Sequence, residues 1–260
     1  MKEAYVCEII KKEVLNEEIF KLTFKIPETM EKIKAGQFFN LTVGAHGSPL
    51  LRRPISVSLV TKDTFELTIK VLGQGTQILF DKKEGESIDL MGPLGNGFFY
   101  EDVSSKALIV GGGIGVSPMK ELTRVLKEDY KIQPPVILGF REKSFDIKDF
   151  SRFSSKIEIA TESGDEGKKG YVTSLIEEHL KNNEVDMVYV CGPHLMLKAV
   201  QRLCDQYKVK TQLLMEERMA CGIGACLVCT CAIKEKGKIE NKRVCKDGPV
   251  FYGSEVVFNV

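Results

Sequence analysis

Four cysteines constrain this chain more than any other feature. Cys221, Cys226 and Cys229 are spaced C-x4-C-x2-C, and Cys245 follows after fifteen more residues. The first three belong to the stretch "MACGIGACLVCTC", in which four of the chain's eight cysteines, Cys231 being the fourth, fall within eleven residues. The spacing is the plant-type ligand set of a two-iron, two-sulfur (2Fe-2S) cluster. Ferric iron favours soft, anionic thiolates, and four of them complete a diiron centre. Gly222 and Gly224 let the backbone wrap closely around inorganic sulfide, and Ala225 keeps the loop narrow. Zinc sites usually need two C-x2-4-C knuckles, which one asymmetric loop does not supply. The alternative is a collection of buried thiols, since free cysteine is a common core residue. Cys231 is read that way, as a small strand residue beside the cluster, and so are Cys7 and Cys204.

The rest of the composition is that of an ordinary globular protein. Of 260 residues, 43% are hydrophobic and 28% charged, enough for one large domain or two modest ones. The 37 basic and 36 acidic side chains leave a net charge of +1. This near-balance excludes a general electrostatic pull toward nucleic acid or membrane. There is no apolar run of about 18 residues, so no membrane span is expected. The start, "MKEAYVCEIIKKEV", alternates apolar and charged residues and reads as a strand, not a signal peptide. A cytoplasmic, reducing setting follows, in which cysteines serve metal or redox chemistry and rarely form structural disulfides.

Two patterns divide the chain. Up to about Asp102, "IFKLTFKI", "QFFNLTV", "ISVSLV", "FELTIKV" and "ESIDLMGP" are short β-rich runs between turns, as in a sandwich or barrel. One helix, Gln77 to Asp81, is expected after "GQGT". From Ser105 strands and helices alternate, starting with the apolar "KALIVGGG" and a helix carrying Pro118 in its first turn. Alternation of this kind predicts a doubly wound α/β domain. Three units are expected: a β domain over 1–102, an α/β domain over 103–217, and a small β-rich cysteine domain over 218–260.

Each of the first two units carries a candidate nucleotide site. "RRPIS", residues 52–56, is followed nineteen residues after Pro54 by "GQGT", 73–76. Arginine offers a planar fork to phosphate oxygens, and a helix starting at Thr76 offers free amides. Alone, Arg-Pro could equally be an exposed arginine in an extended segment. In the α/β unit, "LIVGGGIGVSPM" places glycines where a strand hands over to a helix, the position at which such sheets bind dinucleotides. It departs from G-x-G-x-x-G, since Val116 and Pro118 stand where a third glycine would fall. No acidic residue ends the second strand; Arg141 and Glu142 follow "LGF". A tight glycine turn without a ligand is the alternative. "CGPHLM", 191–196, ends a later strand, with Cys191 read either as facing the crevice or as a buried thiol.

Taken in order, "RPIS", "GxGT", "GGGIGVSP", "CGP" and the cysteine set resemble the ferredoxin–NADP reductase superfamily. The ending "MACGIGACLVCTC…RVCKDGPVF" is similar to that of the electron-transfer subunits of two-subunit, NAD-linked dihydroorotate dehydrogenases, and the resemblance spans essentially the whole chain. It implies an antiparallel FAD-binding β-barrel, a central NAD-binding α/β domain and a C-terminal cluster. Arg53, Pro54, Ile55 and Ser56 match Arg-Pro-x-Ser, which lines the flavin ring and reaches the diphosphate. Thr68, Ile69 and Lys70 match the strand beside FAD, and Gly75 and Thr76 the diphosphate turn. Gly112, Gly113, Ile114, Gly115, Cys191, Gly192 and Pro193 match the NAD-side motifs. Cys221, Cys226, Cys229 and Cys245 match the cluster ligands. Val71 and Leu72 stand where some relatives carry a basic residue or tyrosine, a departure in the phosphate contacts of this strand.

The resemblance also implies the chemistry. Nicotinamide moves a hydride, an iron–sulfur cluster one electron, and a flavin both. The implied route runs from dihydroorotate through the FMN of a partner catalytic subunit, then this cluster and this FAD, to NAD+, in pyrimidine biosynthesis. The expected assembly is a heterotetramer with two copies of each subunit. No general acid or base is assigned here; dihydroorotate chemistry belongs to the partner. Other builds share these parts, namely the flavin subunit of an anaerobic sulfite reductase or a ferredoxin-linked transhydrogenase. A redox-sensing protein is a further class.

Overall fold

The computed structural model describes residues 3–44, 49–101 and 103–258. Six antiparallel strands close a barrel: β1 (Ala4–Val14), β2 (Ile19–Lys25), β3 (Phe38–Leu41), β4 (Arg53–Val60), β5 (Thr64–Lys70) and β6 (Ser87–Leu94), in the order β1-β2-β5-β4-β3-β6. The closure leaves no open sheet edge. Alternation does the sorting. On β3, Phe39 and Leu41 point into a core with Phe24 and Phe65, whose rings stack with Phe39 or each other at 4.7 and 5.3 Å. Phe38 and Asn40 take the opposite face.

Helix α1 spans Gln74–Asp81, three residues more than the sequence predicted. The reason is Thr76. Its hydroxyl accepts from the amides of Leu72 (2.8 Å) and Gly73 (3.2 Å), which fixes the turn and starts the helix earlier.

The second sheet has seven strands in the order β10-β9-β8-β7-β11-β12-β15. Its strands are β7 (Ala107–Gly112), β8 (Val136–Phe140), β9 (Ile157–Thr161), β10 (Lys168–Lys169), β11 (Met187–Cys191), β12 (Lys210–Leu214) and β15 (Val250–Tyr252). All pairings are parallel except β12 with β15. Helices α2 (Val116–Glu128), α3 (Ile147–Phe150), α4 (Val172–Asn182) and α5 (His194–Tyr207) belong to this unit. β7 lies between β8 and β11, the switch point where such sheets open a ligand crevice.

The cysteine segment carries a hairpin, β13 (Thr230–Glu235) with β14 (Lys238–Arg243), and then returns through β15 to the edge of the α/β sheet. Cys229, Cys231, Ile233, Val244, Cys245, Val256 and Phe258 share one core with Val110, Val190 and Leu213. The C-terminal region is therefore joined to the α/β unit by both a sheet edge and a core.

Barrel and α/β unit are joined by charge. Lys120 of α2 is fully buried and reaches Asp146 (2.8 Å), Asp149 (3.1 Å) and Glu66 of β5 (3.3 Å). Lys21 of β2 adds a second ion pair to Asp146 at 3.1 Å. Glu121, also of α2, accepts from the amide of Val60 at 2.8 Å. No helix among the described residues is long and apolar enough to cross a membrane.

Candidate functional site

A cavity of about 440 Å³ opens between the barrel, the nucleotide loop and the segment leading to the cysteines. Arg53, Pro54, Ile55 and Ser56 form one wall from β4, and Thr68, Ile69 and Lys70 another from β5. Gly75 and Thr76 close one end, so the nine residues expected around FAD line a single cavity. Across it stand Ile114 of the nucleotide loop, Ser117 and Pro118 of the first turn of α2, and Met215, Glu216 and Met219.

The lining suits a flavin dinucleotide. The hydroxyls of Thr68 and Ser117 are buried without a protein partner, an arrangement that leaves them to a ligand. The first amides of α1 have no intrahelical acceptor and face the anion-binding end of the helix dipole. Gly75 makes room for a neighbour: a Cβ there would lie 2.4 Å from Nε of Arg53 and push the guanidinium aside. The guanidinium thus rests against the turn that opens α1, and both line the cavity.

On the nucleotide side the glycines divide by role. A Cβ at Gly115 would fall 2.7 Å from the backbone of Cys191 and Gly192. One at Gly112 would meet the Met196 sulfur at 2.3 Å and Pro193 at 3.3 Å. These glycines let the two strand-end turns pack together. Gly113 differs, with φ +54° and open space around it, so its backbone is accessible to a ligand. Of the seven residues expected on this side, only Ile114 lines the cavity. The reading of Cys191 as facing the crevice is corrected: its side chain is wholly buried in the α/β core. It ends β11 on the face covered by α2, and burial, with a smaller push from the charge of Glu216, raises its thiol well above the usual range. Glu216 itself lines the cavity, and enclosure by protein raises its carboxyl.

The cysteines form two pairs. Cys221 and Cys226 lie on the outer side of the loop, half-buried and exposed, while Cys229 and Cys245 are buried. Backbone amides point at the sulfurs: Gly224 at Cys245 (3.1 Å), Ala225 and Cys226 at Cys221 (3.3 and 3.4 Å), and Cys245 at Cys229 (3.4 Å). Burial opposes ionisation of Cys221, but hydrogen bonds from Ile223, Cys226 and Ala225 outweigh it and lower the thiol to about 6. Among the described residues no three His, Cys, Asp or Glu side chains converge as a single ion would need. A diiron centre needs only two protein thiolates on each iron, which two pairs supply.

Residues outside the cysteine motif brace this loop. Arg243 makes a bidentate contact with Asp247 (2.8 and 2.9 Å) and donates to the carbonyl of Gly224 at 3.1 Å. From the barrel side, Asn96 donates to the carbonyls of Lys246 and Asp247 at 3.2 and 3.1 Å. Cys231 is the surplus thiol, facing the core from β13, where burial above all raises it to about 12.

Comparison with known proteins agrees with each part. Residues 6–100 match an oxidoreductase FAD-binding domain, and 109–202 an oxidoreductase NAD-binding domain. Residues 216–257 match the iron-sulfur cluster binding domain of dihydroorotate dehydrogenase B. A solved structure of an NADH-dependent reduced ferredoxin–NADP oxidoreductase superposes with a TM-score of 0.82 at 28% identity, covering 99% of this chain and 91% of that one. A ferredoxin reductase of carbazole 1,9a-dioxygenase shares the fold, with a TM-score of 0.67 at 20% identity over 80% of this chain and 66% of its own. The electron transfer subunit of dihydroorotate dehydrogenase B (NAD(+)) from Clostridium acetobutylicum is 40% identical over the full length of both chains. Its counterpart in Bacillus pumilus is 41% identical, again over both full lengths, and that in Caldanaerobacter subterraneus subsp. tengcongensis 40% over 93% of each. Fold, cofactor cradles and relatives agree, and the chain belongs to the family of electron transfer subunits of NAD-linked dihydroorotate dehydrogenase B.

Proposed function

We propose that this chain carries electrons between the FMN of a dihydroorotate-oxidising partner and NAD+, as one subunit of a heterotetramer with two copies of each chain. The observation that carries this reading is the single cavity walled by the barrel, the nucleotide loop and the segment leading into the cysteines. FAD held there would supply both two-electron chemistry toward a nicotinamide and one-electron chemistry toward a 2Fe-2S cluster.

The chain's own residues hold and separate these partners. Arg53, Gly75 and Thr76 anchor the diphosphate end, and Pro54, Ile55, Ser56, Thr68, Ile69 and Lys70 clasp the flavin. Gly113 leaves its backbone open to the dinucleotide, while Gly112, Gly115, Gly192 and Pro193 shape the turns behind it. Cys221 with Cys226 and Cys229 with Cys245 each supply one iron with two thiolates. The proposed units are 1–102, 103–217 and 218–260. Asp102, the first boundary, lies outside the described residues. The proposed compartment is the cytoplasm, consistent with all eight cysteines being free.

The test uses the purified chain with and without the FMN subunit. NADH bleaches the FAD of the isolated chain and dihydroorotate does not; adding the partner makes dihydroorotate reduce NAD+. Direct reduction of the isolated chain by dihydroorotate would overturn the two-subunit route. The likeness to the ferredoxin–NADP oxidoreductase supports a second reading, in which the partner passes electrons from ferredoxin. Co-purification of a ferredoxin-linked partner in place of an FMN one would decide for it. The higher identity of the dihydroorotate dehydrogenase relatives supports the first.

A further inference from the structure

Among the described residues, Asn40 is the one buried amide in the barrel wall next to the cysteine loop that the protein leaves unpaired. It is 1% exposed, and neither Nδ2 nor Oδ1 has a hydrogen-bond partner. Its neighbours on β3, Phe39 and Leu41, fill the barrel, so Asn40 faces outward. In register it stands opposite Pro54, a wall of the flavin cavity. Above it lies the cysteine loop: a Cβ on Gly222 would fall 2.5 Å from Asn40 Nδ2. Gly222, at φ +71°, directly follows Cys221. An unpaired buried amide carries the full desolvation penalty of its donor and acceptor. A polar side chain kept dry at this cost, between the flavin wall and the cluster loop, is aimed at something the polypeptide does not supply.

We propose that the Asn40 side-chain NH2 donates a hydrogen bond to a sulfur of the loaded 2Fe-2S cluster and thereby raises its reduction potential, which makes Asn40 a positioning residue for the flavin–cluster electron step. This rests on the assignment of Cys221, Cys226, Cys229 and Cys245 as ligands. One-electron reduction adds negative charge to the sulfurs, so an N–H donor stabilises the reduced state more than the oxidised one. Cys221 and Cys245 already receive amide donors from the loop. Asn40 adds one from the barrel, on the side nearest the flavin.

The experiment uses the reconstituted full chain. Asn40→Leu has nearly the same shape and no donor. Iron, sulfide and FAD content are measured first, then the midpoint potentials of cluster and flavin in an EPR- and absorbance-monitored titration. The expected result is a loaded cluster whose reduction equilibrium falls about 3- to 10-fold, with tenfold equal to ~59 mV for one electron, and an unchanged flavin potential. In parallel, unsubstituted protein labelled with 15N in asparagine is examined by pulsed EPR of the reduced cluster. A 15N side-chain coupling is expected, and this measurement stands even if Asn40→Leu fails to hold its cluster. An unchanged cluster potential in loaded Asn40→Leu, a shift confined to the flavin, or no 15N coupling overturns the proposal. Absence of iron and sulfide from the unsubstituted chain would overturn the cluster reading as well, so the two failures are distinguishable.

Discussion

Arg53 occupies the space that a side chain on residue 75 would need: its guanidinium atoms lie 2.4–2.6 Å from a Cβ built on Gly75. Arginine fork and helix-start turn, 22 positions apart, are thus in contact, as the proposed diphosphate cradle requires. Gly75→Ala displaces the guanidinium, and Arg53→Ala removes it. Charge-assisted hydrogen bonds of this kind contribute about 1.5–3 kcal/mol, so either change is expected to weaken FAD binding ~10- to 100-fold. Fluorescence titration of the flavin-free protein measures it, and unaltered affinity in both variants would remove Arg53 from the diphosphate site.

The two kinds of cysteine in the loop behave differently. Cys226→Ser replaces an exposed, proposed ligand thiolate with a hard oxygen, and visible absorbance and EPR of the cluster are expected to be lost or grossly altered. Cys231→Ser keeps the spectrum, because Cys231 faces the core of the hairpin. It lowers stability instead, by about 1–3 kcal/mol for an unpaired buried hydroxyl. Loss of the cluster in Cys231→Ser with retention in Cys245→Ser would reverse the ligand assignment.

Arg243 and Asp247 hold the loop that holds the cluster. Asp247→Asn weakens the bidentate contact that keeps Arg243 on the Gly224 carbonyl. Supporting residues of this sort typically change metal affinity 10- to 100-fold. The expected outcome is faster bleaching of the cluster absorbance under an iron chelator, with FAD content unchanged.

Lys120 carries the joint between the two larger units. Lys120→Ala leaves Asp146 and the neighbouring carboxylates buried without their cation, a loss of about 3–5 kcal/mol in chemical unfolding. The joint is also acid-sensitive. Burial raises the Asp149 carboxyl, but the charge of Lys120 and its hydrogen bond outweigh that and hold it below the usual range. A depressed folded pKa contributes stability above the unfolded value, about 3.9, and the contribution is lost as pH falls below it. Unfolding midpoints are therefore expected to drop more steeply below about pH 4 in the unsubstituted protein than in Asp149→Asn.

Much of this was legible from local chemistry. The barrel strands announce themselves as alternating or β-rich runs, and "RPIS" and "GQGT" are each contiguous words. The cysteine spacing is equally local. What depends on distant pairing was not. Asn40 reads as an ordinary polar residue in a strand until Gly222, 182 positions away, is laid over it. Lys120 looks like the solvent face of a helix until the barrel brings Glu66 against it. Cys191 sits at a strand end in the sequence, but α2 covers that face and turns the thiol inward. Glu216 and Ser117 reach the flavin cavity only because β12 and α2 both end at its mouth.

The return of Val250–Tyr252 to β12 bears on whether the cysteine region is a detachable cassette. β12 carries Thr211, Gln212, Leu213 and Leu214 almost wholly buried, and its outer backbone groups are paired by β15. Cutting the chain after residue 217 to obtain a flavin-only reductase would strip that cover and expose a strand ready to pair with another molecule. The truncated product would self-associate through that edge. The region that brings in the iron thus also serves as the sheet's insulation against aggregation.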